Sequence, residues 1–313
     1  KYTALANVKK MRELLVDEID IVGVELGSEL SNRSYFTKGY TIEDYITAAK
    51  KCNDKIKSNF PHIPTAIVAA PLGKPIGHRH NVWNSKLARL EFYDAIIIHS
   101  YAKVITGKEE DGQMLEERYE YDNKRSNFSL YRDRALRFLA DEFPDEVREY
   151  NNIFNKPIWI TEWNLQMSKT TGNTTLQSLF VVNYLLDLLT NEVFDNISLT
   201  TYHNLGGRDY SGSIFMNNGK DIDIRNTFHA FTMLSALFNI NQEYQIKKIE
   251  KDELFEYNIY IDNKLEYIYY LNWSSNTFPL LKESYFSYFS LFGQSLYDDN
   301  LDTLTEIYNK ENN

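Results

Sequence analysis

Glu29 and Glu162 each close a short apolar run, Val22-Gly23-Val24-Glu25-Leu26-Gly27-Ser28-Glu29 and Ile158-Trp159-Ile160-Thr161-Glu162. Two carboxyls on rigid elements at a fixed separation can divide labour. One delivers a proton to a leaving oxygen, while the other, ionised, attacks carbon or activates water. Cleavage of a glycosidic bond needs that division. Taken alone, Glu29 also fits a helix-capping or solvated loop acid. Glu162 is harder to set aside, because a carboxylate flanked by Trp159, Trp163 and a buried run is costly to desolvate without a partner or a role.

Polar residues gather at comparable places elsewhere. Apolar runs at 95–98, 157–161 and 197–201 lead into His99-Ser100-Tyr101, Glu162-Trp163-Asn164 and Tyr202-His203-Asn204, and Ser28-Glu29 makes a fourth such end. In a closed parallel barrel every strand end opens onto one mouth, where active sites are built.

The elements that would position these residues alternate. Leu5, Val8, Met11, Leu14 and Leu15 predict a helix over 3–15, and strand-like runs cover 20–26 and 65–70. Helices are expected over 41–58, with Thr41 and Asp44 as a cap, and over 84–91, 130–143, 174–189 and 227–238. Strands apolar on both faces and separated by helices imply a parallel sheet in an α/β protein. After Asn241 the period changes to two, in runs at 244–249, 254–261 and 265–272 with Asp262-Asn263 as a turn. The expected organisation is a (β/α) barrel portion over 1–242 and a β-rich, sandwich-like domain over 243–313.

Glu25-Leu26-Gly27-Ser28-Glu29-Leu30 resembles the strand-four motif of clan A retaining glycoside hydrolases, which usually ends Gly-Asn-Glu. Ile158-Trp159-Ile160-Thr161-Glu162-Trp163-Asn164 resembles their strand-seven nucleophile motif, and the 93–101 segment, through His99 and Tyr101, resembles the strand-six His-x-Tyr of the arabinofuranosidase branch and its xylosidase and heparanase-type relatives. The resemblance covers roughly residues 1–240 and implies a (β/α)8 TIM barrel without cofactor or metal. It implies Glu29 as general acid/base, Glu162 as nucleophile and Tyr101 as a hydrogen-bond donor to it. Ser28 stands where the family carries the Asn that contacts a sugar hydroxyl. Only strands four to eight are accounted for, so three further βα units, roughly 80–100 residues, are expected in a longer chain or a partner chain. Ser28, His99, Tyr101, Trp163, Asn164, Tyr202, His203 and Asn204 are the expected sugar-binding residues around the two acids, with His78 and Trp83 lining the cleft.

His78-Arg79-His80 has the His-x-His spacing of metal-dependent amidohydrolase barrels, but such centres draw further His and Asp ligands from several strands, and this one follows Gly77 in a loop. Capping a helix is its other reading. Neither a Gly-x-Ser-x-Gly elbow nor a phosphate-binding glycine loop is present.

Composition narrows the class. The 313 residues are 43% hydrophobic and 25% charged, within the globular range. The formal charge of −10 disfavours a nucleic-acid partner, whose binding draws on basic patches. No apolar run reaches the roughly 20 residues of a membrane span. The single cysteine, Cys52, excludes an internal disulfide framework and a cysteine zinc site. Aromatics make up 14%, which fits either sugar stacking or ordinary core packing. The chain starts at Lys1 without an apolar signal core, as a processed product or a fragment would. A secreted, periplasmic or cell-surface protein acting on a plant or algal glycan is the expectation. The rival is a carbohydrate-binding protein that kept a hydrolase scaffold and lost its activity.

Overall fold

The computed structural model describes residues 20–105, 128–166, 171–207, 212–217, 219, 221–274, 288–290 and 305–307. The helix expected over 3–15 lies outside them, as do residues 106–127. The chain divides into two compact units, one of residues 1–100, 144–163 and 195–201, the other of 101–143, 164–194 and 202–313. Residues after 242 are thus grouped with two earlier stretches of chain. No described helix is long and apolar enough to cross a membrane.

A five-stranded sheet is built from β1 (Val24–Glu25), β2 (Thr65–Val68), β3 (Ala95–Ala102), β4 (Ile158–Leu165) and β5 (Ile197–Tyr202), in that order. β1 and β2, and β2 and β3, pair in parallel. β3 and β4 also run together: Ile96 N–H donates to Pro157 O at their starts and Gln166 N–H to Ala102 O at their ends, both at 2.9 Å. Each strand lies beside its sequence neighbour with helix between. That is the order of consecutive barrel units rather than the interrupted order of a doubly wound sheet. Expectation and structure agree on a partial (β/α) barrel.

The first unit shows why these segments fold as they do. α1 (Arg33–Phe36) is a single turn. α2 (Ile42–Asn59) starts at the reciprocal cap read from the sequence, with Asp44 N–H donating to Thr41 Oγ1 at 3.2 Å and Thr41 N–H to Asp44 Oδ2 at 2.9 Å. Its buried face carries Ile42, Tyr45, Ala49, Asn53 and Ile56 at three- and four-residue spacing. Two polar members of that face fasten it to β2: Val68 N–H donates to the Tyr45 hydroxyl at 2.7 Å, and Thr65 Oγ1 to Asn53 Oδ1 at 2.7 Å. α3 (Arg79–Leu87) starts five residues before the helix expected from 84, because His78 caps it and its Nδ1 accepts from His80 N–H at 3.2 Å.

β1 is shorter than the run read over 20–26. Among the described residues it is an edge strand, paired to β2. A Cβ on Gly23 would fall 2.2 Å from Cη2 of Trp159, so the indole lies against bare backbone there.

In the second unit α4 (Phe128–Arg137) runs through a π-helical turn, Phe138–Glu142, into α5 (Phe143–Ile153), whose later residues belong to the first unit. α6 (Thr175–Leu188) is buried on nearly every side, as its continuous apolar sequence requires. Short strands follow β5: β6 (Gly206–Gly207) pairs in parallel with β7 (Phe215–Asn217), and β7 antiparallel with β8 (Ile222–Ile224). α7 (Asn226–Phe238) follows, then an antiparallel meander of β9 (Tyr244–Lys251), β10 (Leu254–Ile261) and β11 (Lys264–Asn272). Its two turns, Asp252-Glu253 and Asp262-Asn263, hold positive φ at all four residues, as the tightest hairpin connections require. β12 (Tyr288–Ser290) and β13 (Thr305–Ile307) form a separate antiparallel pair.

Candidate active site

In the first unit three side chains converge, from β3, from β4 and from the turn after β1. Glu29 follows β1 after Gly27 (φ 122°) and is itself in the left-handed region (φ 48°), an uncommon conformation for a side chain other than glycine. Backbone held there at a cluster of chemical groups is stored strain. A turn follows, Asn32 N–H donating to Glu29 O at 2.9 Å, and the Asn32 amide donates back to Glu29 Oε2 at 2.7 Å. The other oxygen, Oε1, lies 3.2 Å from His99 Nδ1, and Glu162 Oε2 lies 3.5 Å from the same nitrogen. One imidazole nitrogen therefore faces both carboxylates. Ligand-capable atoms of Glu29, His99 and Glu162 all lie within 4.8 Å of one another.

His99 and Glu162 sit in mid-strand sequence, on β3 and β4, where the pleat fixes direction. That same pleat corrects one expectation. Trp163 follows Glu162, so it points to the opposite face, and it is buried at 1% exposure. It presents no surface to a ligand. Trp83 is likewise fully buried; it stacks on Tyr45 at 5.0 Å and donates its indole N–H to Val68 O at 2.8 Å. It is a core residue, and the cleft-lining assignment does not hold. His78 caps α3, and His80 Nδ1 lies 3.1 Å from Pro71 O, so the His-x-His spacing serves a helix start. Ser28 is exposed beside Glu29.

Glu25 was not singled out by sequence reasoning. Partial desolvation holds its carboxyl above the usual carboxylate range, the Glu162 charge adds to that, and the Thr161 hydroxyl and His99 oppose it. The signal was present: an acid in the middle of a run otherwise apolar. Asn32, three residues after Glu29, is the second residue missed. Glu29, Ser31, Asn32, His99 and Tyr150 line a small cleft floored by Val68, Ala69 and Ile97.

The remaining expected residues lie in the second unit. The Tyr101 and His203 rings meet edge to face at 6.2 Å. Asn164 is fully buried: its amide donates to His203 O at 2.7 Å, and its Oδ1 accepts from Leu165 N–H at 2.7 Å and Gln177 Nε2 at 3.0 Å. With those bonds made, Asn164 shapes the loop around His203 and offers no group to a sugar. Gly212 is required beside it, since a Cβ there would fall 2.4 Å from Asn164 Nδ2. The Tyr202 hydroxyl donates to Gly212 O at 2.6 Å, and His203 and Asn204 are half-buried.

No curated protein matches the chain in sequence. Among solved structures it is similar to the α-L-arabinofuranosidase of Thermotoga maritima (16% identity, 84% of this chain and 49% of that one, TM-score 0.44). It is similar also to the thermostable GH51 α-L-arabinofuranosidase of Thermotoga petrophila RKU-1 (15%, 87% and 51%, TM-score 0.45). A third likeness is to the 4-O-α-L-rhamnosyl-β-D-glucuronidase of Fusarium oxysporum 12S (16%, 88% and 56%, TM-score 0.49). The chain spans about half the length of these structures. Residues 127–219, a stretch that includes β4 and Glu162, match the glycosyl hydrolase catalytic core.

Proposed function

We propose that this chain carries the catalytic pair of a retaining glycoside hydrolase, with Glu29 as general acid/base and Glu162 as nucleophile. One observation carries the reading: an oxygen of each carboxylate and the nitrogen of His99 fall within 4.8 Å of one another. Carboxyls about 5–5.5 Å apart leave no room for a water between the second carboxylate and the anomeric carbon, whereas inverting pairs stand about 6.5–9.5 Å apart. The match of residues 127–219 to a glycosyl hydrolase core supports the same class.

In this reading Glu29 delivers a proton to the leaving oxygen while Glu162 attacks the anomeric carbon. The glycosyl–enzyme ester is then opened by water, with Glu29 now taking the proton. The Asn32 amide orients Glu29 so that one oxygen stays turned toward His99. The substrate is a plant or algal glycan met outside the cell.

The test is a panel of aryl arabinofuranosides, xylosides, glucuronides and galactosides offered to the full chain, with the first-formed anomer followed by NMR. Turnover with retention that is lost in Glu162→Gln is expected. Inversion would sink the nucleophile assignment. Oligosaccharide binding without turnover, unchanged in Glu162→Gln, would establish the binding protein instead.

A further inference from the structure

We propose that Glu29, His99 and Glu162 also form a three-ligand site for a divalent transition metal, Zn²⁺ above all, and that its occupancy shuts down the catalytic pair. The geometry is the argument. Zinc bonds nitrogen and carboxylate oxygen at about 2.0–2.2 Å in a tetrahedron, so its ligand atoms stand about 3.3–3.5 Å apart. His99 Nδ1 lies 3.2 Å from Glu29 Oε1 and 3.5 Å from Glu162 Oε2. Two of the three edges thus already have the length a bound zinc would impose. Along the third, an oxygen of Glu29 and one of Glu162 lie within 4.8 Å, and rotation of the Glu29 side chain, whose exposure is 52%, closes that edge.

Support from outside the ligand set is also in place. The Asn32 amide occupies Glu29 Oε2, leaving Oε1 turned toward the imidazole. Hydrogen bonds of that kind orient metal-binding carboxylates. His99 and Glu162 stand on neighbouring strands, which removes most of the ordering cost of bringing them together. With three protein ligands the fourth position is open to water. One nitrogen with two carboxylates suits a borderline ion such as Zn²⁺ and not Mg²⁺, which requires six oxygens in an octahedron. On binding, the metal takes the Nδ1 lone pair together with the lone pairs with which Glu29 handles protons and Glu162 attacks carbon.

The inhibitory part of this proposal rests on the hydrolase reading; the binding part does not. Isothermal titration of the full chain with ZnCl₂ near neutral pH, in a buffer that does not chelate, should give one equivalent bound and a raised Tm, with MgCl₂ giving neither. Affinity should fall at least tenfold in His99→Ala and in the near-isosteric Glu162→Gln, and about 10–100-fold in Asn32→Ala. It should stay unchanged in His62→Ala, which alters an exposed histidine elsewhere. Circular dichroism on each variant separates loss of ligands from loss of fold, and Glu162→Gln alters charge with little change of shape. Absence of stoichiometric binding, or binding that survives both His99→Ala and Glu162→Gln, would overturn the site. A chain that binds zinc at these residues but hydrolyses no glycoside overturns the hydrolase reading alone. A chain that hydrolyses without zinc sensitivity overturns this one.

Discussion

At the scale of single residues the site is a cluster in which Glu29 and Glu162 both face His99 Nδ1 and Glu25 feels the charge of Glu162. In the proposed retaining mechanism, replacing Glu29 by Ala removes the proton donor, and kcat on substrates with poor leaving groups should fall by about 10²–10⁴. Aryl substrates that leave without protonation should be spared, and added azide should restore part of the rate. An equal loss on both substrate types would show that Glu29 is not the acid. Glu25 makes a separate prediction. Its carboxyl titrates above the usual range because it is partly removed from water, so the folded state binds that proton more tightly than the unfolded chain does. The resulting stabilisation is complete in acid and is lost as pH rises through the raised value. Glu25→Gln removes the loss, so thermal unfolding from about pH 4 to about pH 7 should favour the variant increasingly toward pH 7. Parallel pH profiles for the two proteins would refute it. The identities of Glu29, Glu162 and His99 were legible because each closes an apolar run. Glu25 and Asn32 were not singled out, since their roles depend on what lies across the sheet.

At the scale of elements the site rests on helices fastened to the sheet by buried polar contacts. Thr41→Ala abolishes the reciprocal cap of α2 and should cost about 1 kcal/mol in chemical denaturation. Trp83 offers a sharper distinction. As a core residue packed on Tyr45 with its N–H bonded to Val68, it should cost about 3–5 kcal/mol when truncated to Ala. Glycan affinity of the fraction that remains folded should not change, whereas a cleft-lining tryptophan would lose affinity with little loss of stability. Helix placement from periodicity held for α2, α6 and α7. It missed the start of α3, because His78 is not among the usual capping residues. β1 fell short of its apolar run for another reason: strand character needs a partner, and this edge strand has one neighbour among the described residues.

At the scale of the whole molecule the second unit is tied together by a buried network. Asp187 on α6 accepts from Lys248 Nζ at 2.8 Å and the Tyr257 hydroxyl at 2.7 Å on one oxygen, and from Asn183 Nδ2 at 2.6 Å on the other. Asn183 Oδ1 in turn accepts from Trp273 Nε1 at 2.8 Å. These bonds fix the helix to β9 and β10. Burial raises the Asp187 carboxyl despite the lysine, so the network is costly to leave half made. Asp187→Ala should destabilise the protein by about 3–5 kcal/mol, read as a shift in the urea midpoint. A change within about 0.5 kcal/mol would place the network at the surface in energetic terms.

Taken by itself, the order of residues determined the alternation of strands and helices, the change to period two after Asn241, the turn at Asp262-Asn263 and the acids that follow β1 and lie in β4. Each of these is a local property, set by spacing, turn chemistry and hydrophobic pattern within a few residues. Only the tertiary structure decided that His99 faces both carboxylates, that Asn32 orients Glu29, and that Glu25 stands beside them. It also decided which aromatic and amide groups are spent inside. Trp83, Trp163 and Asn164 have the composition of a sugar site, but side-chain direction on a strand and the partners met across the core commit them to packing. Chemistry at a distance of 70 residues, as between Glu29 and His99, depends on the register of the sheet, and no local pattern carries that information.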